Sequence, residues 1–227
     1  MEHVFSIPIS KFVSQSNVWS DSKYSNGFFS SAMIDMSWNC FRGLLPFISS
    51  NVSIWDLSNN LLSGYISHFL CYKMNVPKQM EYLGLGKTSF IREITNCWMM
   101  WQRLSALNLG NNNFTGSISA SIGSLIDLRY LYLYDNKFSR KLPSSLKNCK
   151  KLVTIDIGEN EFVGSIPSWI GLRLLNLMIL NLRSNNFHGH MPKEVCALTS
   201  LQILDLSLNK LFGGIPTCIM NQCHDHK

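Results

Sequence analysis

The chain has 227 residues, of which 46% are hydrophobic and 15% are charged, and its formal net charge is +6. The densest basic cluster, Lys147, Lys150 and Lys151, has no interleaved aromatic residues, so the composition disfavours nucleic-acid binding. No apolar run reaches the roughly 18 residues that a membrane-spanning helix needs. The first residues also lack the charged and apolar regions of a secretory signal.

A recurring phrase organises most of the chain. Residues 1–30 carry no copy of it, and we predict an irregular segment there. Residues 31–221 contain about eight copies of L-x-x-L-x-L-x-x-N-x-F/L-x-G-x-I-P at a period near 24 residues, and residues 222–227 form a tail. Such a period is typical of a solenoid, in which each repeat packs only against its neighbours. A solenoid presents a surface for binding. No G-x-S-x-G motif or phosphate-binding loop occurs in a plausible context, and we predict that the protein is not an enzyme.

The first half of each repeat is predicted to be a short strand, because its leucines alternate with polar residues. Leu131 and Leu133, like their equivalents in other repeats, are expected in the core. The asparagine that follows can hydrogen-bond backbone groups of its own turn and of a neighbouring coil, so stacked asparagines form a ladder. Its members are Asn39, Asn60, Asn112, Asn136, Asn160, Asn185 and Asn209, and Thr88 replaces asparagine in the third repeat.

The second half of each repeat contains a core phenylalanine or leucine, a glycine that permits a bend, and an Ile-Pro pair that fixes an extended turn towards the outer face. Arg92 and Arg140 replace the glycine in two repeats, and Ser119 replaces the proline in another. Short segments such as SLKNC and EVCAL return the chain, and we predict brief helical or 3₁₀ turns there. The predicted class is an α/β repeat solenoid.

Four of the seven cysteines lie at matching positions of neighbouring repeats. Cys71 and Cys97 lie 11 and 9 residues after their phase markers, and Cys196 and Cys218 repeat these offsets. Neighbouring coils stack about 4.8 Å apart, which is within reach of a disulfide. We predict the disulfides Cys71–Cys97 and Cys196–Cys218; the alternative is buried free thiols. Cys149 lies off this phase and is expected in the core.

The repeat motif resembles the plant-specific class of extracellular leucine-rich repeats. Segments next to the motif, such as NCWMMW and LPSSLKNC, resemble in particular plant receptor-like proteins of the disease-resistance type. The resemblance covers roughly residues 33–221. It implies a curved stack with a parallel β-sheet on its concave face. It also implies an ectodomain at the plasma membrane. We found no signal peptide, N-terminal cysteine cap, membrane span or kinase motif, so we interpret the chain as a middle-to-late ectodomain segment.

The concave face is the candidate binding surface, because its residues lie between the core leucines and are free to vary. Tyr130, Tyr132 and Tyr134 alternate along one strand and are expected to face the same side. They form a predicted aromatic and polar patch suited to protein or peptide recognition with Asp156, Asn181, Arg183 and Asp205. The alternative is that these positions are simply tolerant of substitution.

Other candidate sites are minor. Asn51 and Asn113 begin N-x-S/T sequences, which are glycan acceptors in a secreted protein. The C-terminal end of the chain contains residue types that bind zinc, namely Cys218, Cys223, His224 and His226. Cys218 is already assigned to a disulfide, however, and no second cluster of ligands supports a zinc site. We therefore predict neither a metal nor another cofactor.

The predicted function is ligand recognition by a plant cell-surface receptor-like protein in defence or development, with a protein or peptide ligand and a co-receptor kinase as partners. Two alternatives remain. The first is a secreted leucine-rich repeat inhibitor of cell-wall-degrading enzymes, which would use the same repeat. The second is a truncated receptor fragment without function.

Overall fold

The computed structural model describes residues 32–72 and 77–221. The predicted irregular segment at residues 1–30 and the predicted tail at residues 222–227 lie outside the described residues. Within them the chain forms eight repeats, and each repeat contributes one strand to each of two parallel sheets.

The first sheet lines the concave face. Its strands lie side by side in chain order, and each residue pairs with its equivalent one repeat away: Leu131 pairs with Ile155, and Ile155 pairs with Leu180. The strands are β1 (Ala32–Asp35), β3 (Val52–Asp56), β5 (Tyr82–Gly84), β7 (Ala106–Asn108), β9 (Tyr130–Tyr132), β11 (Thr154–Asp156), β13 (Ile179–Asn181) and β15 (Ile203–Asp205). The predicted repeat solenoid with a parallel sheet is confirmed.

The second sheet is formed by the segment after each ladder asparagine, and the sequence analysis did not predict it. Its strands are β2 (Arg42–Gly43), β4 (Leu61–Gly64), β6 (Ser89–Arg92), β8 (Asn113–Gly116), β10 (Lys137–Arg140), β12 (Glu161–Gly164), β14 (Asn186–Gly189) and β16 (Lys210–Leu211). In β8 the exposed Asn113 and Thr115 flank the buried Phe114. This alternation is the period-2 pattern of a half-buried strand. Strands of four residues or fewer are too short for this pattern to be distinguished from a turn.

The return segments are short helical turns, as predicted. Three are α-helical: α1 (Ser67–Leu70), α2 (Trp169–Arg173) and α3 (Thr217–Asn221). Four are 3₁₀-helical: Trp98–Met100, Ala120–Ser124, Ser144–Asn148 and Lys193–Ala197. Across the described residues, no helix combines the length and apolarity needed to cross a bilayer.

The core runs the length of the stack between these layers. Phe90, Phe114, Phe138, Phe162 and Phe187 stack one above another, with ring centroids 5.9–6.3 Å apart and successive planes within 19° of parallel. Offset stacking at this spacing is favourable beyond the area it buries. The leucines of the first sheet are buried in the same layer, but Leu204 and Leu206 are only partly buried because the last described repeat has a neighbour on one side only.

The tryptophan-rich segment NCWMMW contributes to a separate cluster of aromatic side chains at the third repeat. The indole of Trp101 packs against Phe69, with centroids 5.3 Å apart, and its Nε1 donates a hydrogen bond to the Leu70 carbonyl at 3.1 Å. Trp55 also packs against Phe69 at the same centroid distance. This cluster lies beside the irregular 28-residue interval between Asn60 and Thr88.

Two positions of each repeat adopt left-handed backbone. The predicted bend glycines are one of them: Gly116 and Gly164 have φ angles of 75° and 97°. Arg92 and Arg140 occupy the same position and keep the same geometry, each with φ of 72°. The second position is the residue before each ladder member, and it is left-handed in all eight repeats although none is glycine: Trp38, Asn59, Lys87, Asn111, Asp135, Glu159, Ser184 and Leu208.

Candidate functional site

The concave face carries one aligned row of side chains. Strand pairing places equivalent residues of all eight repeats next to one another, in the order Asp35, Asp56, Gly84, Asn108, Tyr132, Asp156, Asn181, Asp205. The predicted site residues Tyr132, Asp156, Asn181 and Asp205 are therefore consecutive in space, although they are about 24 residues apart in sequence. A binding surface built this way takes one residue from each of several coils.

The asparagine ladder holds this row in place. The Asn136 amide nitrogen lies 2.9 Å from the Leu109 carbonyl oxygen, 3.1 Å from that of Leu133 and 3.2 Å from that of Tyr134. Its amide oxygen accepts a hydrogen bond from the Phe114 backbone N–H at 3.0 Å. One side chain thus satisfies backbone groups of two repeats at the point where the chain leaves the first sheet.

The same pattern recurs at Asn60, Asn112, Asn160, Asn185 and Asn209. Thr88 takes over part of the role: its hydroxyl oxygen lies 2.9 Å from the Leu85 carbonyl oxygen and 2.6 Å from the Asn112 amide oxygen. A threonine has one proton to donate, so it serves only one of these acceptors at a time. Asn39 is exposed, and its side-chain amide nitrogen lies 3.2 Å from the Met36 carbonyl oxygen and 2.9 Å from that of Ser37, both in its own turn.

The three tyrosines lie on the same side, as their spacing predicts. Tyr130 and Tyr132 belong to β9, Tyr134 follows two residues later, and all three are half-buried. The Tyr134 ring lies directly over Gly110: a Cβ added to that glycine would be only 2.7 Å from the Tyr134 Cζ. The neighbouring repeat therefore gives the ring a flat backbone surface to rest on. A ring held in this way loses little conformational freedom when a ligand binds.

Burial alters the titration of these side chains. It raises the pKa of Tyr132, and a hydrogen bond with Thr154 acts in the opposite direction. Burial also raises the pKa of Tyr134, with a further contribution from the charge of Asp156. Both phenols are therefore protonated at neutral pH and can both donate and accept hydrogen bonds.

Asp156 lies between Tyr132 and Asn181 in the row. It accepts a hydrogen bond from the Gly158 backbone N–H at 3.1 Å, and Asn181 also hydrogen-bonds its carboxyl group. Burial raises the pKa of Asp156, and the nearby carboxylates of Glu159 and Asp205 act in the same direction. The group is thus a half-buried acid whose environment disfavours its charge.

Arg183 and Asp205 form the next part of the predicted patch. The Arg183 Nη1 donates to the Ser207 hydroxyl at 2.8 Å and lies 3.9 Å from the Asp205 Oδ2. Ser207 in turn donates to Asp205 from its hydroxyl, at 2.6 Å, and from its backbone N–H, at 2.9 Å. These bonds lower the pKa of Asp205, and Arg183 adds to the effect.

One pair on this face was missed by the sequence analysis. The Tyr82 hydroxyl donates to the Asp56 Oδ2 at 3.1 Å, and burial together with Asp56 raises the pKa of Tyr82. Tyr82 aligns with Ala106 and then Tyr130 in the first sheet. That alignment was the signal available in the sequence, since Tyr82 precedes Thr88 by the same number of residues as Tyr130 precedes Asn136.

The four predicted disulfide cysteines are brought together in the predicted pairs. The Cα atoms of Cys71 and Cys97 are 5.2 Å apart, and those of Cys196 and Cys218 are 5.7 Å apart. Each pair joins neighbouring repeats. Cys149 is a buried free thiol, and burial raises its pKa to about 12.

The glycan-acceptor asparagines are both exposed. Asn113 is the first residue of β8, and Thr115, the third residue of its N-x-T sequence, is exposed beside it. Asn51 precedes β3, and Ser53 of its N-x-S sequence is buried and lies 3.3 Å from the Ala32 carbonyl oxygen. Of the cysteines and histidines considered as metal ligands, Cys223, His224 and His226 lie outside the described residues. The residues that the structure does describe contain no cluster able to hold a metal ion.

The repeats, the asparagine ladder and the paired sheets define a class of protein. A family model described as a leucine-rich repeat region matches residues 88–211, and the chain belongs to that family. The chain is 44% identical over 166 residues to Receptor-like protein EIX2 of Solanum lycopersicum; the match covers 73% of this chain and 16% of that protein. The chain thus spans about one sixth of this curated relative.

Solved structures of plant receptor ectodomains share the fold. The Arabidopsis thaliana membrane receptor kinase GASSHO1/SCHENGEN3, in complex with CASPARIAN STRIP INTEGRITY FACTOR 2, matches with a TM-score of 0.71 and 33% identity, over 78% of this chain and 21% of that one. The Arabidopsis receptor kinase HAESA, in complex with the peptide hormone IDA and the co-receptor SERK1, matches with a TM-score of 0.70 and 29% identity, over 83% and 35%.

Proposed function

We propose that the concave face binds a protein or peptide ligand, and that the chain serves as a ligand-recognition segment of a plant cell-surface receptor-like protein. The binding site comprises Tyr130, Tyr132, Tyr134, Asp156, Asn181, Arg183 and Asp205. The protein is not an enzyme in this account, and it needs no cofactor. Its partners are the ligand and a co-receptor kinase.

One observation carries the proposal: the tyrosines are half-buried, held by neighbouring repeats, and surrounded by polar side chains with fixed orientations. Tyr134 rests on Gly110, and Arg183 is held by Ser207. Tyrosine and arginine are the residue types that dominate protein-binding hot spots. Because these side chains are already ordered, less entropy is lost on association.

The relatives support the choice of ligand and compartment. HAESA is seen with a peptide hormone and a co-receptor, and GASSHO1/SCHENGEN3 is described as a membrane receptor kinase. Residues 88–221 of this chain hold both the family match and the tyrosine patch. We therefore assign the patch to the extracellular side of the plasma membrane, where disulfides also persist.

A selection experiment tests the proposal. The full chain is expressed through a secretory pathway and used to enrich a displayed library of random peptides. We expect the Kd of an enriched peptide to rise about tenfold or more in Tyr132→Ala, since truncating a central hot spot removes about 2 kcal/mol or more. Tyr65→Ala, which removes an exposed tyrosine outside the first sheet, is the matched control and should leave the Kd unchanged.

Two results would contradict the proposal. One is an equal Kd for the wild type and Tyr132→Ala when both variants have the same thermal midpoint. The other is inhibition of a cell-wall polysaccharide-degrading enzyme by the wild type, which would favour the secreted inhibitor instead.

A further inference from the structure

The concave row contains a carboxylate with aromatic neighbours and no cationic partner. Asp156 is half-buried beside Tyr132 and receives its hydrogen bonds from Gly158 and Asn181, which are neutral donors. The two ion pairs found among residues 32–72 and 77–221 are Lys151–Asp127 and Arg183–Asp205. Asp156 takes part in neither. A desolvated acid without a counter-charge is unfavourable by itself and favours a cation brought from outside.

Asp156 and Asp205 differ in their surroundings. Both aspartates occupy the same position of their repeats and accept a bond from the backbone N–H two residues later. Ser207 hydrogen-bonds Asp205 from its hydroxyl and its backbone N–H and so lowers its pKa, and Arg183, 3.9 Å away, adds to the effect. Asp156 has neither a hydroxyl donor nor an arginine at these positions, and burial raises its pKa. Two equivalent carboxyl groups on one surface thus differ in that only Asp205 has an arginine of the protein nearby.

Charge is also distributed unevenly over the molecule. The full chain carries a net charge of +6. The aligned concave row nevertheless contains Asp35, Asp56, Asp156 and Asp205 and no basic residue, and Arg183, in the adjacent column, is already paired. A face with the opposite sign to the rest of the protein attracts ligands of opposite charge to itself.

The surroundings of Asp156 are aromatic on one side and polar on the other. Tyr132 lies beside Asp156 in the row, and the charge of Asp156 acts on the nearby Tyr134 phenol. Asn181 lies on the other side and leans over Gly158, with its amide nitrogen 3.0 Å from the position of a Cβ on that glycine. The carboxylate therefore has tyrosines on one side and an amide on the other.

We propose that Asp156, together with Tyr132 and Tyr134, binds the guanidinium group of an arginine side chain in the ligand. A guanidinium presents parallel N–H groups that match a carboxylate, and its plane stacks on aromatic rings. An ammonium group satisfies the charge but neither of these geometric features. This proposal rests on the proposed function of the concave face. It specifies arginine as the ligand residue that this part of the face recognises.

The test uses a small probe and a neutral isostere. Nα-acetyl-arginine amide and Nα-acetyl-citrulline amide have nearly the same shape, but only the first is charged. Binding to the isotope-labelled full chain is followed by the chemical shifts of the Tyr132 and Tyr134 rings. We expect the arginine probe to shift these signals at millimolar concentration and the citrulline probe to bind at least about tenfold more weakly, because hydrogen bonds to charged groups are the stronger ones.

Two aspartate variants complete the design. Asp156→Asn keeps the size of the side chain and can still accept from Gly158, and it should weaken arginine binding about tenfold. Asp35→Asn, at the equivalent position of the first described repeat and outside the proposed binding site, should leave the affinity unchanged. The circular dichroism spectrum and thermal midpoint of each variant show that it is folded.

The inference is overturned if the arginine probe does not bind, if citrulline binds equally well, or if Asp156→Asn retains full affinity. These results leave the proposed function untouched, because loss of library-peptide binding in Tyr132→Ala is measured separately. Conversely, arginine binding that depends on Asp156 would stand even if no library peptide were enriched.

Discussion

At the scale of single residues, each buried ladder asparagine provides hydrogen-bond partners for several backbone groups. Asn136 is 8% exposed and bonds backbone groups of two repeats. Leaving such groups buried without partners costs about 1–3 kcal/mol each. The asparagine recurs because a carbonyl acceptor and an amide donor are needed together, which is why Thr88 replaces it only in part.

The first prediction concerns this residue. Asn136→Ala should lower the free energy of unfolding by about 2 kcal/mol, because the Phe114 N–H loses its acceptor and the Leu109 carbonyl keeps only its hydrogen bond from Asn112. Asn209→Ala is the matched control: its site in the last described repeat is more exposed, so water can replace the lost bonds and the loss should be smaller. Urea unfolding of both variants measures the difference, and equal losses would argue against the ladder.

The second prediction concerns the left-handed arginines. Arg140→Gly should raise the free energy of unfolding by about 1 kcal/mol, because a side chain at φ of 72° clashes with its own backbone and glycine does not. Gly164→Ala, at the same position one repeat later, should lower it by about as much. Denaturant midpoints that move in the same direction for both variants would contradict this account.

The third prediction concerns modification. If the chain passes through the secretory pathway, Asn113 should carry an N-linked glycan, because the asparagine and Thr115 are both exposed. Mass spectrometry before and after peptide-N-glycosidase treatment measures this, and Asn113→Gln should abolish the signal at that site. Asn51 is exposed as well, but Ser53 of its N-x-S sequence is buried, so we expect a lower degree of modification there in the same sample. Asn111→Gln is the control. Unmodified Asn113 in secreted protein would refute the assignment.

At the scale of elements, the described repeats are joined by three systems: the two sheets, the phenylalanine stack and the paired cysteines. The first sheet, the ladder, the helical turns, the core phenylalanines and the cysteine pairs followed from the sequence, because their positions recur in most repeats relative to the marker asparagine. The second sheet did not, because β8 and its equivalents show only one buried residue between two exposed ones. Arg92 and Arg140 departed from the glycine pattern in sequence and yet kept its geometry, since pairing with the strands on both sides fixes the backbone there.

The same limits apply to the site. The spacing of Tyr130, Tyr132 and Tyr134 predicted their common side correctly. It gave no information about the support of Tyr134 by Gly110, which depends on two residues 24 positions apart meeting across the sheet. The bond between Tyr82 and Asp56 was missed because it joins side chains of different columns and different repeats, 26 residues apart in sequence.

The fourth prediction concerns the cysteines. Peptide mapping under non-reducing conditions should show Cys71 linked to Cys97 and Cys196 linked to Cys218. Iodoacetamide at pH 8 should label the exposed Cys40 but not Cys149, because thiolate is the reactive form and burial raises the pKa of Cys149 to about 12. Because Cys149 would be charged only near or above that pKa, its labelling should remain low throughout the range in which the protein is folded.

The energetic consequence of the second disulfide can be measured with matched variants. Cys196→Ser should lower the free energy of unfolding by about 3 kcal/mol, since the bond closes a loop with a sequence separation of 22. Cys40→Ser removes an unpaired exposed thiol and should have no effect. If all six described cysteines were labelled in the native protein, the disulfide assignment and the extracellular location would both be contradicted.

At the scale of the whole molecule, the solenoid separates scaffold from recognition. The side chains of the ladder, the phenylalanine stack and the leucines face inwards or along the stack. The side chains of the concave row belong to neither the core nor the ladder. That row is acidic and aromatic in a protein whose net charge is positive. We infer that association with a basic ligand is accelerated at low ionic strength and weakens as salt screens the surface.

Hydroxyl-radical footprinting tests the central claim most directly, because it reports the exposure of individual tyrosine side chains. The full chain is oxidised with and without a peptide enriched from the random library, and the modification of each tyrosine is measured by mass spectrometry. The account predicts that the peptide lowers the oxidation of Tyr132 and Tyr134 and leaves Tyr65, outside the first sheet, unchanged. Protection of Tyr65 with no protection of Tyr132 and Tyr134 would place the ligand elsewhere and contradict the account.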